Sequence, residues 1–361
     1  MITKRRLAYI IHDVAVGGAE VAFLSALPKL HETFNLKVYV LGSAKPTLMA
    51  GLAEPVQKRT VCFNMPAWAL PLYMPVIYLR LRSFNPDIII SSLWRSTVPA
   101  MLYKFWHGHA RYFVMLHSNG FFHWADRFFT SRAIRMSNAV FADSLATKAF
   151  AQTIHGAKSP VKALSYLVNP IPRHPRGYDF SGTKKFCFMG KLNKIKRVSL
   201  AVSAIAWLRA HEIDATLDIF GRDEGEQAAV MEQIQLAGMQ EYIRINGEVS
   251  PAKKDEIHDS HNFYIQLSIQ EGMAMSVAEA MQHGMVCVVT AVGEIPNYAK
   301  DGQSAIFMDT RTPESWEAAM NKLLLIIQDE EKCSSISKAA HETFRNTPIF
   351  SDSLIDAITN S

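Results

Sequence analysis

The chain has 361 residues, long enough for two domains with full cores, and its 49% hydrophobic and 20% charged residues give the balance of a soluble globular protein. Its net charge of +5 conceals a division: residues 1–180 hold 21 Lys+Arg against 8 Asp+Glu (+13), and residues 181–361 hold 17 against 25 (−8). That asymmetry predicts two functionally distinct halves, the basic one facing something anionic, and no apolar run approaches the roughly 18 residues of a membrane span.

The start, MITKRRLAYIIHDVAVGG, imitates a secretion signal, but His12 and Asp13 interrupt its apolar run and no small-residue cleavage site follows. It reads as a first strand, Leu7–Ile11. Further strands are expected at Leu36–Leu41, Asp87–Ser91, Arg111–Leu116 and Ala139–Ala142, with helices at Ala19–Glu32, Tyr73–Ser83, Trp124–Met136 and Ser144–Ile154. Asn169–Gly182, NPIPRHPRGYDFSG, has three prolines and two glycines and reads as a linker. The alternation then restarts with strand Lys185–Met189, helix Val198–His211, strand Ala215–Phe220, helix Gly225–Leu236 and strand Tyr242–Ile245. Strands Phe263–Leu267 and Met285–Thr290 follow, with helices after Ser276 and Thr312 and a short amphipathic helix in FSDSLIDAITNS. The expected fold class is α/β: two Rossmann-like, doubly wound parallel-sheet domains facing a cleft, with ligand at the carboxyl ends of the strands. The boundaries are 1–170, a linker 171–183, 184–345, and a C-terminal helix 346–361 that packs back on the first domain.

The four cysteines, Cys62, Cys187, Cys287 and Cys333, lie far apart without a C-x-x-C pair or a histidine cluster. They read as free thiols of a reducing cytoplasm, not as a disulfide frame or a zinc site.

Chemistry gathers at the strand exits. Gly17 and Gly18 fall between the first strand and its helix, where backbone can approach a phosphate; a tight turn alone explains them equally well. Gly190 closes a strand, and Lys191 and Lys196 follow, two ammonium groups suited to a diphosphate or simply to a solvated basic loop. In SIQEGMAMSVAEAMQHGM, Glu271 and Glu279 stand eight residues apart around Gly272. Ser276-x-x-Glu279 is a capping-box pattern. An ionised carboxylate is also a pure acceptor able to take two vicinal hydroxyls of a ribose or a sugar, and the two roles can coexist. His117 ends a strand, where a satisfied structural histidine is the plainer reading.

GGAE, F-x-G-K-L-x(3)-K, E-G-x(6)-E-A-M-x-x-G and V-G-E-I-P occur in this order, and together they resemble the family 4 (group 1) retaining glycosyltransferases of GT-B fold. The resemblance is strongest over Lys185–Phe307 and looser before it. It implies that Glu279 binds the nucleotide ribose and Glu271 the donor sugar hydroxyls. Lys191 and Lys196 would hold the diphosphate. The amides of Gly272, Met273 and Ala274 would meet the sugar or phosphate, and Gly17–Gly18 the distal phosphate. His117 would match the active-site histidine near the reacting sugar. Lys191 replaces the usual arginine and loses its bidentate fork, while Met273 and Ala274 replace a common Phe-Gly.

The expected function is a retaining hexosyltransferase using a UDP- or GDP-sugar on a glycan acceptor such as a lipid-linked polysaccharide (O-antigen, capsule or lipopolysaccharide). No D-x-D sequence occurs, so neither metal nor cofactor is expected, with lysines and helix N-termini as the charge stabilisers. A nucleotide-sugar 2-epimerase of the same architecture and a non-catalytic nucleotide-sugar-binding subunit are the rival readings. FNMPAWALPLYMPVIYLRLRSF and GFFHWADRFFTSRAIRMS mix aromatics with arginines. Core packing and contact with an anionic membrane explain them equally, and single-stranded nucleic acid less well. The expected location is the cytoplasm, with peripheral contact at the inner face of the plasma membrane.

Overall fold

The structure, a computed structural model, describes residues 4–14, 18–154, 156, 158–169, 177–250 and 253–361 apart from the side chain of Thr47. The chain divides into two compact units, one of residues 1–168 with 348–361, the other of residues 169–347.

The first unit holds strands β1 (Arg6–Ile11), β2 (Asn35–Val40), β3 (Thr60–Cys62), β4 (Ile88–Ser92), β5 (Arg111–Leu116), β6 (Ala139–Ala142) and β7 (Val161–Ala163). They form one parallel sheet in the order β3-β2-β1-β4-β5-β6-β7. Both faces are covered, so the central strands are continuous apolar runs, such as RLAYII and RYFVML, and not alternating ones. The helices are α1 (Gly18–Thr33), α2 (Pro46–Ala50), α3 (Glu54–Lys58), α4 (Leu70–Phe84), α5 (Trp94–Trp106), α6 (Trp124–Met136) and α7 (Leu145–Thr153), with a 3₁₀ turn at Ala67–Ala69. One buried cluster joins Ile77 and Leu81 of α4, Tyr103 of α5, Ile134 of α6 and Ala151 of α7, so these four helices share a face of the sheet.

The second unit holds β8 (Lys184–Met189), β9 (Ala215–Phe220), β10 (Ile243–Gly247), β11 (Phe263–Gln266), β12 (Val286–Val289) and β13 (Ile306–Phe307), a parallel sheet ordered β10-β9-β8-β11-β12-β13. Its helices are α8 (Val198–Ala210), α9 (Gln227–Leu236), α10 (Lys254–Ser260), α11 (Met275–Gln282), α12 (Ile295–Tyr298), α13 (Pro313–Ile327) and α14 (Glu330–Thr343). The last helix, α15 (Phe350–Thr359), belongs to the first unit. Phe350, Leu354, Ala357 and Ile358 make its buried stripe, Phe350 N–H donates to Leu167 C=O at 2.7 Å, and Lys29 of α1 pairs with Asp352.

Strand order reverses between β1 and β4 in one sheet and between β8 and β11 in the other, the crevices where open parallel sheets bind ligands. Of the expected linker, 171–176 lie outside the described residues. Its later part is no free tether: Phe180 is buried in the second core and Tyr178 Oη donates to His258 C=O at 2.9 Å.

Candidate functional site

In the second unit the chemistry collects where β8 and β11 end. Lys196 Nζ lies 2.8 and 2.9 Å from the two oxygens of Glu271, whose carboxylate also receives Gln266 Nε2 at 2.8 Å. Gln266 is fully buried at the end of β11, and its Oε1 accepts from Tyr264 Oη at 2.8 Å and Ser276 Oγ at 3.0 Å. The amide is thereby fixed with its N–H toward Glu271, and the carboxylate is held in one orientation. Gly221 lets the ends of β8 and β9 close at this point: a Cβ on it would lie 1.7 Å from Gly190 C=O.

Ser276 therefore does not cap α11, which corrects the capping-box reading. The N-cap residue is Ala274, in the left-handed region at φ 53°, and Ser276 spends its hydroxyl on Gln266. Glu279, buried on α11, instead takes Lys254 Nζ of α10 at 2.7 Å. The loop before α11 is pinned from V-G-E-I-P: Glu294 N–H donates to Gly272 C=O at 2.9 Å, and Gly293, at φ 61°, packs where a Cβ would be 2.4 Å from Glu271 C=O. Among the described residues, none accepts a hydrogen bond from the amides of Gly272, Met273 or Ala274. These donors stand at a helix N-terminus, where anions are favoured.

Lys191 takes a different counter-ion from Lys196. Its Nζ lies 3.1 Å from Glu224 after β9, and Glu224 also takes Arg222 at 2.6 Å and Asn193 at 3.1 Å. Those donors, Arg222 first, hold the Glu224 carboxyl at about 2. The structure thus brings Lys196 and Glu271 into contact and gives Lys191 and Glu279 separate counter-ions within the same unit.

In the first unit, His117 follows β5. Its Nε2 is 2.7 Å from Ser92 Oγ at the end of β4, and its Nδ1 is 2.8 Å from Tyr166 Oη. It backs a cavity of about 100 Å³ shared with Trp94, Gly120 and Phe122. Arg95 of α5 joins the two residues after β1, its Nη2 2.7 Å from Asp13 and its Nε 3.4 Å from His12. Gly18 opens α1, and Gly17 lies outside the described residues.

Burial pushes the His117 imidazole down to about 4 from 6.5, and burial with the nearby Arg95 charge also lowers His12 well below its ordinary value. Both rings are neutral when folded and take up protons more readily when unfolded. The stabilising contribution of His117 is full above about pH 6.5 and is lost as the pH falls toward 4, with a slope approaching about 1.4 kcal/mol per pH unit, and His12 acts in the same direction. In urea titrations, His117→Gln should therefore lose less stability than the parent between pH 7.5 and 5; an equal loss would contradict the assignment.

A separate cavity of about 1030 Å³ lies beside Arg197, walled by Ile269, Val292, Phe307 and Lys322, and none of the expected site residues lines it. Among the described residues, Asp255 and His258 on α10 and His283 just after α11 could offer three ligand atoms to a metal, all within 4.8 Å of one another. Sequence reasoning missed Lys254, Glu224, Gln266, Ser92, Arg95 and Tyr166. Only Gln266, a polar residue closing an apolar strand, carried a readable signal.

A family model for "Glycosyl transferases group 1" matches residues 172–343. The D-inositol 3-phosphate glycosyltransferase of Corynebacterium diphtheriae is 24% identical over 147 residues, 39% of this chain and 34% of that protein. That of Corynebacterium jeikeium is 25% identical over 149 residues, 40% and 36%. The chain thus spans about a third of the length of the curated relatives it matches. Among solved structures, Anabaena Alr3699/HepE in complex with UDP superposes at a TM-score of 0.77 with 15% identity, covering 99% of this chain and 100% of that one. The lipopolysaccharide outer core galactosyltransferase WaaB gives 0.71 and 15%, covering 98% and 99%. At such identities the structural likeness establishes the fold, two parallel α/β sheets of GT-B type. Residues 172–343, a little under half of the chain, are thus similar to the glycosyl transferases group 1 family.

Proposed function

We propose that this chain moves a hexose from a UDP- or GDP-sugar onto a glycan acceptor, with retained configuration and without a metal ion. The Lys196–Glu271 pair at the β8/β11 switch point carries the reading. A carboxylate locked by Gln266 is a fixed acceptor for sugar hydroxyls, and the ammonium beside it is a fixed counter-charge for a departing diphosphate. Neighbouring folds whose structures are described with UDP and with UDP-glucose support the donor class. The anomeric C–O bond to phosphate would break as a bond to the acceptor hydroxyl forms on the same face, its proton passing to the leaving phosphate oxygen. The free amides of Gly272–Ala274 would assist Lys196. His117, neutral, would serve as a hydrogen-bond partner and not as the general base.

The acceptor we infer is a lipid-linked, cell-surface polysaccharide (O-antigen, capsule or lipopolysaccharide), a reading supported by the likeness to WaaB and by the basic first half. The protein would work in the cytoplasm, at the inner face of the plasma membrane. Thermal-shift and donor-hydrolysis screens over UDP- and GDP-sugars test the donor class: one sugar nucleotide should raise the melting temperature and be hydrolysed, and no response to any would refute it. EDTA should leave turnover unchanged, because D-x-D is absent and charge is balanced by lysine and backbone amides. Strong inhibition would overturn the metal-free mechanism.

A further inference from the structure

The first unit exposes large apolar side chains on one set of neighbouring helices. Trp68, Leu72, Val76 and Leu79, spaced four, four and three apart, form a single stripe along the 3₁₀ turn and α4, turned away from the buried Ile77 and Leu81. Phe122, Trp124 and Phe128 form a second exposed group at the start of α6. Trp68, Phe122 and Trp124 are 76%, 78% and 81% exposed, too much for rings that serve a core. Scattered exposed leucines are ordinary; three almost fully exposed aromatic residues on one side of one unit are not.

Topology gathers them. α4, α5 and α6 lead into β4, β5 and β6, so in a parallel sheet their N-termini stand at the strands' carboxyl edge, the edge that carries His117. They share one face of the sheet and touch in sequence: the Tyr78 and Tyr103 rings lie 6.4 Å apart, and Trp94 stacks on Phe129 at 6.1 Å. Charge on these three helices is one-sided. They carry Arg80, Arg82, Arg95, Lys104, Arg127, Arg132 and Arg135, and their sole acid, Asp126, is buried on Phe122 N–H and Thr130 Oγ1. Arg80, Arg82, Arg127 and Arg132 are exposed, and the Arg132 guanidinium sits 4.9 Å over the Phe128 ring.

We propose that this face, with Trp68, Leu72, Phe122 and Trp124 as anchors and Arg80, Arg82, Arg127 and Arg132 as its basic rim, docks on an anionic lipid bilayer. Aromatic rings suit the depth of the headgroups, where an apolar body and a polar edge are both satisfied, and the arginines of the rim meet the lipid phosphates. With anchors around the starts of α4 and α6 and Arg80 and Arg82 toward the end of α4, docking would lay this helical face along the membrane surface. The proposal stands on exposed residues and charge alone and does not depend on glycosyl transfer.

The test is flotation of the full chain with vesicles of phosphatidylglycerol and phosphatidylcholine, against pure phosphatidylcholine. The chain should float with the anionic vesicles only. Trp68→Ser/Trp124→Ser should weaken partitioning by roughly tenfold or more, and Arg80→Glu/Arg82→Glu should weaken it at 0.15 M salt but much less at high salt, where its charge is already screened. Both variants should keep the parent's thermal shift with the sugar nucleotide identified for the parent, or its melting temperature if none is found, which shows that they fold. Absence from anionic vesicles, flotation indifferent to the tryptophan pair, or competition by single-stranded DNA that fails to follow the tryptophans would each overturn the proposal.

Discussion

Lys196→Ala should slow sugar transfer by about 10²-fold or more, with donor affinity falling much less. The ammonium lies within 2.9 Å of both Glu271 oxygens, and only 18% of the Lys196 side chain and 8% of the Glu271 side chain are exposed. A charge so placed is worth most when negative charge grows on the leaving diphosphate, which is a transition-state event. Removing it also strands a buried carboxylate, and breaking one side of such a pair costs about 3–5 kcal/mol. A slow enzyme could therefore be merely an unstable one. The double variant Lys196→Ala/Glu271→Gln separates the two effects: it should recover much of the melting temperature and none of the rate. An unaltered kcat in Lys196→Ala, or a rate restored with stability in the double variant, would reject the role.

Glu279→Ala should weaken binding of the donor nucleotide by about 10- to 100-fold, the loss of about one charge-assisted hydrogen bond to a diol at about 1.5–3 kcal/mol. Lys254 supplies the control. If Glu279 serves only as an ion-pair partner for Lys254 at 2.7 Å, then Lys254→Ala and Glu279→Ala should lower stability alike and leave nucleotide affinity alone. If the carboxylate receives ribose hydroxyls, only its own removal should cost affinity, because Lys254→Ala frees it for the ligand. Calorimetric titration of both variants with UDP and with GDP distinguishes these outcomes. Equal affinities in the parent and Glu279→Ala would end the assignment.

Much of this architecture was legible because buried parallel strands leave unbroken apolar runs. RLAYII, RYFVML and KKFCFM lie where the periodicity placed them. What escaped was short or internally contradictory. WRSTVPAMLYKFW, with β-branched residues and a proline in its first half, forms the helix α5: its N-cap residue Leu93 sits at φ 70° and Pro99 is accommodated inside. The three-residue β3 and β7 offer too little pattern to read. Lys196 and Glu271, five residues and one strand exit from their nearest landmarks, could be suspected from motif spacing. Their mutual contact could not, because it spans 75 residues and is set by the pairing of β8 with β11. Glu224 and Lys254 were invisible for the same reason: a counter-ion recruited from another strand end has no local signature.

The return of α15 makes the chain's order misleading. The second unit is an insertion between residues 168 and 348 of the first, so it is the uninterrupted piece, while the first is assembled from both extremities of the sequence. Cutting after Thr347 would leave every residue of 1–168 in place and still strip Phe350 from the Tyr166 ring, 4.9 Å away, whose hydroxyl steadies His117. A lesion in the final fourteen residues would thus be read out in the amino-terminal sheet, as lost footing for an imidazole more than two hundred positions upstream.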